Sequence, residues 1–184
     1  MLHISTKIAH MAYLRNNFEK SLQGLEYALT KIESQKNYME NDELLELWGL
    51  VKNFLGQTLI QMGRHEDAIK ALTEAFEIFK KFREEASEDG MILLNNLSCA
   101  CSELKQYEQA EMYLKQAIEI AKAIKLEDIS PYKINLGLLY FKQGLLDKTK
   151  DMCKTAWHIA KKHDNKEALN GADDCLEQLK KVLL

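Results

Sequence analysis

Residues 95–101 read NNLSCAC and hold the densest potential chemistry in the chain: adjacent amides, a hydroxyl and a Cys-x-Cys pair. Two neighbouring thiolates could bind a soft metal or cycle as a redox couple. The surrounding composition argues for helix, and residues two apart on a helix point about 200° from one another. Cys99 and Cys101 therefore cannot share one ion without melting the turn. The remaining cysteines, Cys153 and Cys175, complete a set of four. That set is too small and uneven for a secreted disulfide framework, so buried inert thiols in a reducing or weakly reducing compartment are expected.

The histidines give no stronger case. His3 and His10 lie two helical turns, about 10 Å, apart. His65 falls at a turn, and His158 and His163 diverge. The sequence contains no phosphate-binding glycine loop, nucleophile elbow or H-E-x-x-H. No catalytic residue, metal or cofactor is expected, and the chain reads as non-enzymatic. The acidic clusters MENDELLE (39–46) and EEASED (84–89) read as helix starts, where carboxylates favour the dipole. The basic runs KKF (80–82) and KKH (161–163) read as solvated helix ends.

The chain has 184 residues with one proline, abundant Leu, Ala, Glu and Lys, and few Val or Thr. This composition predicts an all-α protein. A net charge of −3 gives no electrostatic case for nucleic acid. No apolar run approaches the roughly 20 residues of a membrane span, so a soluble chain is expected. The opening MLHISTKIAHMAYL lacks a cleavable leader and reads as an amphipathic helix. Its abrupt start raises the expectation that an upstream segment has been removed.

Self-similarity organises these elements. NFLGQTLIQMGRHEDAIKALTEAFEI (53–78), NNLSCACSELKQYEQAEMYLKQAIEI (95–120) and INLGLLYFKQGLLDKTKDMCKTAWHI (134–159) share one pattern. Leu is followed by a small residue and then a large one. After a turn come a small residue, a large apolar one and Ala. The sets are Leu55-Gly56-Leu59 with Ala68-Leu72-Ala75, Leu97-Ser98-Cys101 with Ala110-Leu114-Ala117, and Leu136-Gly137-Tyr140 with Thr149-Cys153-Ala156. A weaker copy, Ile8-Ala9-Ala12 with Ser21-Leu25-Ala28, opens the chain. Small residues at matched levels let paired helices approach, and large ones one turn away fill the flanks.

This pattern resembles the tetratricopeptide repeat. The equivalent alanines step by 47, 42 and 39 residues, longer than the standard of about 34, as in the branch that includes kinesin light chains. The expected fold is a right-handed α-solenoid of about four such helix pairs in a single domain, 1–184. Repeats fall at about 2–35, 42–85, 89–124 and 130–163, with a capping helix over 165–183. Gly63 and Gly144 mark turns, Ser130-Pro131 an N-cap with proline at N1, and Asp164 with Glu167 a capping box.

The same register predicts a concave groove. His3, Thr6, Lys7, His10 and Tyr13 come from the first repeat, and Asn53, Phe54, Gln57 and Ile60 from the second. Asn95, Asn96 and Cys99 follow, then Ile134, Asn135, Leu138 and Phe141. The candidate partner-binding set is Lys7, His10, Asn53, Phe54, Gln57, Asn95, Asn96, Cys99, Asn135, Leu138 and Phe141. Asn96 and Asn135 each precede the repeat's Leu. Their amides could hold a peptide backbone, or they could form a solvated face or a contact between repeats. Only Lys7 of this set carries a full charge, so a clamp for a terminal carboxylate is not expected.

STKIAHMAY, LGQTLIQMGRHEDAIKALTEAFEI, LLNNLSCACSELKQYEQAEMYLKQAIEIAK and the ending DISPYKINLGLLYFKQGLLDKTKDMCKTAWHIAKKHDNKEALNGADDCLEQLKKVL resemble the mitochondrial tetratricopeptide repeat protein 19 family. The resemblance implies an adaptor at the mitochondrial inner membrane. Its partners would be respiratory complex III and processed fragments of the Rieske iron–sulfur subunit, which it would help to clear. It also implies that this chain is the soluble repeat region, without the family's targeting region and membrane segment. The alternative is a cytosolic kinesin-light-chain-like adaptor for short peptides.

Overall fold

The computed structural model describes residues 2–82 and 87–183. Among these are nine α-helices: α1 (Leu2–Leu14), α2 (Phe18–Glu33), α3 (Asp42–Gln61), α4 (His65–Phe82), α5 (Glu88–Glu103), α6 (Tyr107–Ala123), α7 (Ser130–Lys142), α8 (Leu146–Lys162) and α9 (Lys166–Leu183). A 3₁₀ turn, Tyr38–Glu40, precedes α3. The described residues contain no strand, and none of their helices is long and apolar enough to cross a membrane. The predicted end of the second repeat at 85, and residues 84–86 of the acidic cluster, lie outside the described residues. The chain divides into two compact units, Met1–Glu85 and Ala86–Leu184. The first holds the pairs α1/α2 and α3/α4. The second holds α5/α6, α7/α8 and α9.

Each pair closes at the repeat's small residue. A Cβ on Gly56 would lie 2.4 Å from Leu72 Cγ, and one on Gly137 would lie 2.5 Å from Cys153 Sγ. Ser98 occupies the same level in α5, and its hydroxyl donates to the Ala110 carbonyl at 2.8 Å. The flanking residues Leu25, Leu72, Leu97 and Leu114 are buried.

The four turns inside the pairs share one construction. Asn16, Gly63, Lys105 and Gly144 take φ of +57°, +74°, +60° and +74°. The next amide in each case bonds five residues back, at 2.9 Å: Asn17 to Ala12, Arg64 to Leu59, Gln106 to Cys101 and Leu145 to Tyr140. This left-handed closure satisfies carbonyls that the preceding helix leaves open.

Two predicted caps are shifted. α7 begins at Ser130 with Ile129 at the N-cap. The capping oxygen comes instead from Asp128, which accepts the Ser130 N–H at 3.0 Å and the Ser130 hydroxyl. Asp128 also accepts from Asn165 Nδ2 at 2.7 Å, tying the α6–α7 loop to the α8–α9 turn. Burial works to raise the Asp128 pKa, but the Ser130 and Asn165 hydrogen bonds and nearby His163 hold it below the usual value. Asp164, predicted to cap α9, lies at φ +53° and closes α8. Asn165 caps α9, accepting the Ala168 N–H at 3.0 Å.

The cysteines require a further correction. Cys153 and Cys175 form a disulfide between α8 and α9, with Cα atoms 6.2 Å apart. Both side chains are buried. Repeat register marks Cys153 as inward, but a helix's own pattern does not tell which side chain on another helix it meets. α9 packs on both α7 and α8, burying Ala168, Ala172, Cys175 and Leu179.

Two stability experiments follow. Gly63 has open space around an added Cβ, so Gly63→Ala should cost only its left-handed strain, about 1 kcal/mol. Gly56→Ala should cost more, about 1–3 kcal/mol, because Leu72 must move within a full core; urea unfolding of both variants checks the order. The disulfide spans 22 residues, a loop for which about 3 kcal/mol is expected. Reduced protein and Cys175→Ser should therefore unfold earlier, with α9 amides exchanging faster by hydrogen–deuterium mass spectrometry.

Candidate functional site

The predicted binding residues fall into two sets, one in each unit. In the first unit, α1 and α3 bring an aromatic group together. The His10 ring stacks on Phe54 with centroids 4.1 Å apart and planes at 21°. Tyr13 continues the stack at 5.9 Å, and Phe18 lies 5.8 Å beyond. His10 is half-buried, and its Nδ1 is buried without a hydrogen-bond partner. Desolvation lowers its pKa below the ordinary histidine value, so the ring is neutral at pH 7. Asn53 and Gln57 stand one turn apart on α3, with Gln57 Nε2 donating to Asn53 Oδ1 at 3.4 Å. Lys7 is exposed. This patch combines a flat apolar surface, two amides and one cation, suited to a peptide carrying an aromatic or aliphatic side chain.

Thr6 does not line the patch. It is buried, and its hydroxyl donates to the Leu2 carbonyl at 3.0 Å. A threonine on a helix can always turn back on its own turn, so helical register alone could not separate these outcomes.

In the second unit, Asn135 Nδ2 on α7 donates to Asn95 Oδ1 on α5 at 2.7 Å. The amide that recurs one repeat later, Asn135, meets Asn95 rather than its register equivalent Asn96. One role of the asparagines is thus to join adjacent repeats. Lys142 and Glu103 span the same two helices at 2.6 Å. Cys99, one turn beyond Asn95, is half-buried. Desolvation pushes its thiol up to about 11, with Lys142 opposing and Glu103 reinforcing the shift. Its thiol is therefore protonated at neutral pH. Cys101 is wholly buried.

Leu138 packs on a core formed by Ile134, Ala156, Ala160, Ala168 and Ala172. Ile134 is therefore interior, correcting its place in the predicted groove. Gly171 of α9 lies against it, where an added Cβ would be 3.4 Å from Ile134 Cδ1. Phe141 remains half-buried.

One polar cluster has no counterpart in the predicted set. Tyr140, at the repeat's large apolar position, is buried while its hydroxyl donates to Glu111 Oε1 at 2.9 Å. Lys115 also reaches Glu111, at 2.7 Å, and Lys148 lies over the Tyr140 ring at 5.1 Å. Desolvation and the Glu111 carboxylate push Tyr140 up to about 12. The only signal in the sequence is a tyrosine where other repeats have Leu59 and Cys101.

Comparison with known proteins agrees with this geometry. The tetratricopeptide repeat family matches residues 46–123. The tetratricopeptide repeat protein 19 homolog, mitochondrial, of Drosophila melanogaster is 35% identical over 185 residues, covering 100% of this chain and 50% of that protein. The chain thus spans about half the length of this curated relative. A crystal structure of Podosopora anserina putative kinesin light chain nearly identical TPR-like repeats superposes with a TM-score of 0.69 at 15% identity, covering 99% of this chain and 94% of that one. Rap protein complexed with competence and sporulation factor gives 0.75 at 16% identity, covering 92% and 45% respectively. These structural likenesses establish the fold.

The Asn95–Asn135 bond is partly buried, so removing one amide leaves the other poorly paired. Asn135→Ala should destabilise the protein by about 1 kcal/mol. A double-mutant cycle with Asn95→Ala should show the two losses to be non-additive by at least about 0.5 kcal/mol.

Proposed function

The chain is a tetratricopeptide repeat protein that resembles the mitochondrial protein 19 homologue along its whole length, and from that premise we propose that it serves mitochondrial respiratory complex III. Tetratricopeptide pairs are protein-interaction scaffolds, whose stacked helices present extended surfaces for partners. In this reading the chain binds processed fragments of the Rieske iron–sulfur subunit and helps to clear them, without catalysing a reaction itself. The observation that carries the reading is the 35% identity across all of this chain. Generic repeat packing alone leaves much lower agreement, as the 15–18% identities among the structural neighbours illustrate.

The proposed contact surface includes the His10–Phe54 stack with Lys7, Asn53 and Gln57. The half-exposed positions around Asn96, Cys99 and Phe141 form a second candidate surface. Isothermal titration calorimetry of the purified chain against Rieske fragments and against acidic cargo-type peptides tests the proposal. The Rieske fragments should bind, and Phe54→Ala with Gln57→Ala should weaken them by at least about tenfold. Binding of the cargo-type peptide alone, with no complex III component retained, would sink the mitochondrial reading in favour of a peptide adaptor.

A further inference from the structure

Terminal repeats of stacked-helix proteins ordinarily turn a polar outer face to water. α9 follows that rule, exposing Asp173, Asp174, Glu177, Lys180 and Lys181. α1 does not. Ile4, Ile8, Met11 and Leu14 fall at i, i+4, i+7 and i+10, which places them along one helical stripe. Each is between 50% and 66% exposed.

Repeat register shows what normally covers such a stripe. Ile8 is equivalent to Leu55, so Ile4 corresponds to Val51 and Met11 to Thr58. Val51, Leu55 and Thr58 are 8% exposed or less. Thr58 faces the preceding helix directly: its hydroxyl lies 3.1 Å from that of Ser21 on α2. The second unit repeats the arrangement, with α6 packed on α7 and the equivalent Leu136 and Leu139 buried. Ile4, Ile8 and Met11 thus mark the surface that elsewhere seats the second helix of a preceding pair, and Leu14, whose register equivalent Gln61 is exposed, lies at its edge.

We propose that this stripe docks an acidic amphipathic helix of a partner protein, packed on α1 as α2 packs on α3. The apolar residues supply the seat for a helix presenting side chains at i, i+3, i+4 and i+7. The flanks supply the sign. No Asp or Glu precedes Glu19, whereas Lys7 and Arg15 are present and exposed beside the stripe, with His3. Two copies of α1 would bring cation to cation, so a second copy of this chain fits the seat poorly. A helix with glutamates flanking its apolar face satisfies both requirements. The stripe shares Lys7 with the edge of the His10–Phe54 patch, but its apolar seat, Ile4, Ile8 and Met11, is no part of that patch, so its occupancy does not depend on the Rieske reading.

The test uses a fluorescein-labelled synthetic peptide of 16 residues, the length of α2. It carries leucines at the helical spacing above and glutamates on both flanks; a control peptide replaces every glutamate with lysine. Anisotropy titration should show saturable binding of the acidic peptide, weakening with added salt. The double variant Ile8→Ser/Met11→Ser should reduce affinity by at least about tenfold, and the lysine peptide should lose a similar factor. Ile4→Ser/Leu14→Ser provides an independent pair, and circular dichroism should show all variants folded, since these side chains are largely exposed. Equal binding by the double variant, or by the lysine peptide, overturns the proposal. So does concentration-dependent dimerisation in sedimentation that Ile8→Ser abolishes, because the occupant would then be a second copy. In the natural full-length protein, complete protection of an Ile8→Cys thiol from maleimide without any partner overturns it too, since the same polypeptide would then cover the seat.

Discussion

The structure depends on how closely two helices can approach within a pair. At Gly56 and Gly137 there is no room for a methyl group against Leu72 and Cys153. At Ser98 the side chain is small enough to enter the same gap and makes a hydrogen bond there. This approach sets the level at which Leu25, Leu72 and Leu114 enter the core. It also fixes which residues remain on the outer surface. A larger residue at these positions would push the pair apart and disturb every contact above and below it.

Contacts between neighbouring pairs use a different chemistry. Ser21 meets Thr58 in the first unit, while Asn135 meets Asn95 and Lys142 meets Glu103 in the second. Polar groups here specify register, since an apolar interface could slide by a turn at little cost, whereas a partly buried amide without its partner is penalised. The scaffold therefore consumes residues that resemble binding groups when read along one helix. Asn95 and Asn135 are the clearest case. In the first unit the His10–Phe54 stack joins α1 to α3, with Asn53 and Gln57 paired one turn apart on α3.

The two terminal helices are built differently. α9 is fastened by its apolar stripe and by the Cys153–Cys175 bond, while Asp128 and Asn165 anchor the turn that precedes it. It closes the second unit with a polar exterior. α1 leaves uncovered the face that α2 and α6 cover on their neighbours.

The sequence by itself determined the helix pairs, their turns and the inward residues. These depend on local rules: the 3.6-residue period, small residues at matched levels and left-handed turn positions. Gly63, Gly144, Leu72 and Ala117 were therefore legible. Helix starts were less so, because Asp128 caps α7 from across a loop and Asn165 takes the role that spacing gave to Asp164. Tertiary structure alone decided which side chains meet. Helical register gives a residue's direction but not its partner on another helix, so Cys153 with Cys175, Asn135 with Asn95 and Tyr140 with Glu111 could not be read in advance. Exposure of the α1 stripe was decided in the same way: Ile8 and Leu55 occupy one register position, and they differ in that α2 packs on the helix that carries Leu55.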